Sequence, residues 1–62
     1  MNRFGRSCVV ATIAGLVHLA AYPASCWLSG VAASHAQNLA GSVAFMVAAW
    51  FTVWLSTNGE PA

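Results

Sequence analysis

The sequence predicts an all-α fold: two membrane-spanning helices joined as a hairpin by a short polar loop. Three observations predict it. Charge is nearly absent, hydrophobic residues form two long runs, and polar residues collect between those runs and at the ends. Of the 62 residues, 60% are hydrophobic and 5% charged. A soluble domain carries about a quarter charged residues to solvate its surface. Here the whole charge inventory is Arg3, Arg6 and Glu60, so the stretch from Ser7 to Gly59 holds no Lys, Arg, Asp or Glu. A soluble chain of this length would bury only about 60% of its unfolded surface, leaving much apolar surface in water. A net charge of +1 offers no basic face to nucleic acid.

The first run, Cys8 to Leu28, follows a basic tip and takes Ser7 as its expected N-cap. As a helix it would be about 31 Å long, enough for a hydrocarbon core of about 30 Å. The first span is therefore placed at 7–28. Pro23 lies inside it and removes the backbone hydrogen bond to the Leu19 carbonyl. A kink is expected there, with Ser25 or a neighbouring helix covering the freed carbonyl. Residues 29–38 are read as the loop, with Gly30 suited to a helix C-cap and Ser34 or Asn38 able to start the next helix. His35 and Gln37 read as loop groups. The second span is placed at 39–56. Its apolar part, Leu39 to Leu55, reaches about 25 Å, short for a crossing unless the helix begins near Ser34. The tail after Ser56 is polar and rich in helix breakers.

Arg3 and Arg6 both precede the first run. The positive-inside bias then puts both termini on the cytoplasmic side and the loop on the opposite side. Trp27 falls at the far end of the first span and Trp50 and Trp54 near the near-side end of the second. Headgroup-level tryptophan fits that arrangement. A secretory signal is the competing reading, with Ser34-His35-Ala36 before Gln37 as a small-x-small cleavage site. The apolar stretch exceeds the usual core of about 7–15 residues, which favours a span. Cys8 and Cys26 lie 18 positions apart on one expected helix, about 27 Å, too far to bridge. They read as small apolar filler, with an intermolecular bridge or a bound group as the alternative.

Small residues let membrane helices approach closely. Ala11 and Gly15 form such a pair on the first helix, with Ala14, His18, Ala21 and Ser25 extending the face. Ala40, Ala44 and Ala48 repeat every four residues on the second. Two uses are open: the hairpin closes on these faces, or one of them docks onto another subunit. His18 falls near the middle of the first span, where an imidazole must find a partner. It either bonds a neighbouring helix, Tyr22 or a backbone carbonyl, or ligates the metal of a pigment or haem, or relays protons.

The segment Ala14-Gly15-Leu16-Val17-His18-Leu19-Ala20, with Trp27 downstream, resembles the core of the alpha antenna polypeptides of purple photosynthetic bacteria. The resemblance implies that His18 is an axial ligand to the metal of a bacteriochlorophyll or chlorophyll. It makes Ala14 the residue that leaves room for the ring and Trp27 the aromatic that contacts the pigment. It covers about a fifth of the chain. Antenna polypeptides have one span, a longer segment before it, and no proline five residues after the ligand. The resemblance thus implies a protein living among pigments rather than an antenna polypeptide.

No serine–histidine–acid set, paired carboxylates, Cys-x-x-Cys motif or glycine-rich phosphate loop occurs. With one acidic residue in the tail, general acid–base catalysis has no players, and an enzyme is not expected. The lack of an intramembrane carboxylate also argues against the proton-carrying hairpin of a rotary ATPase ring. The expected function is an accessory subunit of a larger membrane complex, energy-transducing and photosynthetic before respiratory, with larger membrane subunits, lipid, pigment or quinone as partners. The competing expectation is a self-assembling protein, a holin-like pore or a pilin-like filament subunit.

Overall fold

A computed structural model describes residues 2–59. The protein is all-helical: α1 spans Arg3–Ser29, α2 spans His35–Ser56, and the two pack against each other as a rod of 46 × 15 × 14 Å. Both helices are long and apolar enough to cross a membrane. At 27 and 22 residues they measure about 40 and 33 Å.

Helix α1 starts before the expected position, and Asn2 rather than Ser7 caps it. The Asn2 side chain accepts from the Gly5 backbone N–H at 2.7 Å, filling an orphan donor of the first turn. Ser7 lies a full turn inside the helix, donates its hydroxyl to the Arg3 carbonyl at 3.0 Å, and is completely buried. The helix ends at Gly30, whose φ of 71° lies in the left-handed region. Gly30 N–H donates to the Trp27 carbonyl at 3.3 Å and Val31 N–H to the Cys26 carbonyl at 2.9 Å. This pair of bonds is a Schellman ending, which glycine permits because it has no Cβ to strain.

Helix α2 also begins earlier than the 39–56 expected, which shortens the loop to the residues between Ser29 and His35. Ser34 is its N-cap and accepts from Gln37 N–H at 3.3 Å. His35, Gln37 and Asn38 are therefore first-turn residues of α2 and not loop groups. Ser34 and Gln37 have the spacing of a capping box, but its reciprocal half, from the Gln37 side chain to Ser34 N–H, passes through Tyr22 of α1. Ser34 N–H donates to the Tyr22 hydroxyl at 3.3 Å, and that hydroxyl donates to Gln37 Oε1 at 3.0 Å.

The contact between the helices is narrow. Ser7, Ala11 and Gly15, four residues apart, are the buried residues of α1, and Ser42 is the buried residue of α2. A Cβ on Gly15 would collide with Met46 Cγ and Sδ, so that glycine is the seat on which Met46 rests. Elsewhere both helices are apolar on the outside, with Ile13, Leu16, Val17, Leu39, Val43 and Leu55 all exposed.

Candidate functional site

Polar groups are scarce in these two helices, and the structure gathers His18, Tyr22, Gln37, Asn38 and Ser42 into a seam on the loop side of the contact. Helix α1 runs unbroken through Pro23. The Leu19 carbonyl, which Pro23 cannot serve, accepts instead from Asn38 Nδ2 of α2 at 3.3 Å. The neighbouring helix thus covers the freed carbonyl, as one of the two sequence expectations had it, and Ser25 is exposed.

One residue before Leu19 lies the centre of the seam. His18 Nδ1 stands 2.9 Å from Ser42 Oγ, and Ser42 donates its hydroxyl to the Asn38 carbonyl at 2.7 Å. The imidazole is half-buried. Tyr22 lies nearly parallel to it with centroids 6.0 Å apart, and Phe45 of α2 tilts against it at 5.9 Å. The Cε1–Nε2 edge rests on Gly41: a Cβ there would fall 2.8 Å from Cε1 and 2.9 Å from Nε2. Of the hydrogen-bond partners weighed for His18, the geometry supplies the neighbouring helix, while Tyr22 only stacks on the ring and engages its hydroxyl with Gln37 and Ser34.

The opposite end of the rod carries a second clamp. Arg3 donates from Nε and Nη2 to the Trp54 carbonyl at 2.9 and 2.7 Å, and its guanidinium carbon lies 3.6 Å from the centroid of the Trp54 ring. This carbonyl in the last turn of α2, which also accepts from the Thr57 hydroxyl at 3.3 Å, gains two charged donors at the helix end where a cation is favoured. Trp50 stacks on Trp54 at 5.2 Å and meets the edge of Phe4 at 6.0 Å.

The residues singled out from sequence separate into three groups. Ala11 and Gly15 are buried at the contact, and Ala14 is half-buried beside it. Trp27 is 81% exposed and lies nine residues beyond His18, about 14 Å along the helix. The structure does not bring it to the imidazole. Ala40, Ala44 and Ala48 are exposed, so the hairpin does not close on that row. It closes on Asn38, Ser42 and Met46, which occupy an adjacent face. Ala48 instead lines an open apolar groove with Val10, Phe45, Ala49, Thr52 and Val53. Cys8 and Cys26 are free thiols.

A chlorin or haem metal on His18 would need Nε2, because Nδ1 is engaged. A flat macrocycle centred on Nε2 would sweep the space that the α2 backbone fills at Gly41, so the folded hairpin does not fit that group at this histidine. Among the described residues no cluster of three or more His, Cys, Asp or Glu side chains could hold a metal ion. What the seam offers chemically is hydrogen bonding between helices. Sequence reasoning missed the pairing of His18 with Ser42, although a signal was present: the two lie equally far from Gly30, twelve residues on either side. Compared with protein-family models, curated proteins and solved structures, the chain matches none.

Proposed function

We propose that the chain is a small non-catalytic subunit of a larger membrane complex, inserted as a two-helix hairpin with both termini cytoplasmic. The host class is energy-transducing, photosynthetic before respiratory, on the strength of the antenna-like segment around His18. One observation carries the membrane part of this reading: between the ends, the outside of the hairpin is apolar along both helices apart from Thr12, Ser25 and Thr52, and both threonine hydroxyls donate back to carbonyls of their own helix. That inversion suits lipid, where backbone and side-chain polar groups must be satisfied internally. A surface patch this extensive on a water-soluble monomer would drive association.

The exposed row Ala40, Ala44 and Ala48 supports docking, since small side chains at intervals of four admit a second helix at close range. The hairpin's own contact uses a different face, so the row remains available to a neighbour. His18 serves the contact between the two helices in this reading, and pigment, quinone or lipid would meet the outer surfaces. With Glu60 the only carboxylate side chain, the sequence holds no acid–base pair for catalysis.

The test is mild detergent extraction of the tagged chain, followed by identification of what co-purifies and an absorption spectrum. Larger membrane subunits should co-purify with the parent chain and be lost from Ala44→Leu. Recovery only as a free monomer or homo-oligomer would overturn the proposal in favour of a self-assembling pore or filament. In the complex, His18→Leu should leave any pigment or haem band unchanged. A band that weakens or shifts would make His18 an axial ligand after all.

A further inference from the structure

Two short contacts meet at Ser42 Oγ, one to the Asn38 carbonyl at 2.7 Å and one to His18 Nδ1 at 2.9 Å. Each needs a proton between its heavy atoms, because facing lone pairs at such distances repel. The hydroxyl owns one proton and the carbonyl none. The shorter contact, back-bonding along α2, takes the hydroxyl proton. The other proton therefore sits on Nδ1. The Asn38 amide agrees: Nδ2 donates to the Leu19 carbonyl, which leaves Oδ1 as the atom toward Ser42, at 3.5 Å, where it brings no proton.

Charge decides the remaining nitrogen. A ring protonated at both positions is a cation, and the stretch from Ser7 to Gly59 holds no carboxylate side chain to balance one. Nε2 is then bare. It has no hydrogen-bond partner among the described residues, yet no buried polar atom there is left unsatisfied, so Nε2 reaches the surface of the hairpin. We infer that His18 is held as the neutral Nδ1–H tautomer, and that its Nε2 is a binding site for one hydrogen-bond donor, an O–H or N–H arriving at the flank beside Gly41. The proton on Nδ1 rests on the geometry alone, and the bare Nε2 rests also on the absence of a carboxylate from the span. The ligand rests on the membrane reading above, because only out of water does an acceptor at that depth lack a donor from solvent. A single donor atom on a narrow group fits where a macrocycle does not, and Tyr22 and Phe45 hold the ring that presents the nitrogen.

The experiment uses the full chain, ¹⁵N-labelled at histidine, in detergent micelles, with His35 as the exposed reference in the same spectrum. Long-range ¹⁵N–¹H correlations report which ring nitrogen carries the proton. A pyrrole-type Nδ1 and pyridine-type Nε2 at His18 are expected. 4-Fluorophenol, a membrane-soluble donor, should then move the Nε2 resonance saturably and leave Nδ1 in place. Ser42→Ala should lose the Nδ1 preference and Ser42→Thr should keep it, which separates the bond from general unfolding. A proton on Nε2, on both nitrogens, or an Nε2 resonance indifferent to the phenol overturns the inference.

Spectra of the chain in its extracted complex separate the sources of the donor. An Nε2 shift that survives a detergent wash stripping small molecules assigns the donor to a neighbouring polypeptide. One that reverts assigns it to a hydroxylated small ligand, and an Nε2 identical to that of the isolated chain overturns the site. Absence of any complex would sink the subunit reading while leaving the micelle result standing.

Discussion

Replacing Gly41 with alanine puts a methyl carbon 2.8 Å from His18 Cε1 and 2.9 Å from Nε2. Ordinary carbon contacts begin near 3.5 Å, so the ring must retreat by roughly half an ångström or more. It has little freedom to do so, because Nδ1 is tied to Ser42 and two aromatic rings flank it. Overpacking of this kind costs about 1–3 kcal/mol, and a weakened interhelical hydrogen bond adds about 0.6 kcal/mol. Alanine returns about 1 kcal/mol through its higher helix propensity. The net expectation is a loss of about 1–2 kcal/mol in helix–helix association, from those same terms. Reversible unfolding in mixed micelles, followed by tryptophan emission, measures it. The companion variant His18→Ala removes the obstacle, so Gly41→Ala should become neutral or stabilising in that background. Equal effects of Gly41→Ala in both backgrounds would refute the argument that Gly41 exists to seat the imidazole.

The other predictions use the same assay. Asn38→Ala withdraws the donor from the Leu19 carbonyl and should cost about 1 kcal/mol. The loss should shrink when Pro23→Ala restores a backbone N–H for that carbonyl, and an undiminished loss would show that Asn38 acts elsewhere. Arg3→Ala should destabilise by about 1 kcal/mol through the lost carbonyl bonds and ring contact, and Arg3→Lys should recover only part of it. Gly30→Ala should cost about 1 kcal/mol. Nothing lies within 4 Å of a Cβ there, so the loss is one of backbone conformation and a D-alanine made by synthesis should be tolerated. Outright loss with D-alanine would contradict that assignment.

What the sequence made legible followed from local rules. Two uninterrupted apolar runs require two helices, Gly30 supplies the left-handed ending, and Ala11 with Gly15 mark where α1 is thin enough to be approached. The helix starts were harder, because their causes lie partly in tertiary structure. Arg3 is drawn into α1 by a carbonyl 51 residues away, and the Ser34 cap is completed by Tyr22 from the other helix. Which face of α2 closes the hairpin was left open for a similar reason. Alanine spacing alone points to Ala40, Ala44 and Ala48, but satisfying His18 and the Leu19 carbonyl turns Asn38 and Ser42 inward. One residue of register is about 100° of helix rotation. Hydrogen-bond demand from α1, which no pattern within α2 records, set that rotation.

On the membrane reading, the bond from Asn38 to the Leu19 carbonyl bears on how such a chain enters a bilayer. Helix α1 by itself carries an acceptor at Leu19 that its own backbone cannot serve and an imidazole whose partner is on α2. During synthesis α1 emerges first, and in lipid each such group weighs against leaving the translocation channel alone. Helix α2 brings both missing partners within its first two turns, at Asn38 and Ser42. If the chain is inserted as proposed, the two helices are suited to partition into lipid together, as one preassembled unit, with α1 waiting at the channel until the start of α2 has been made.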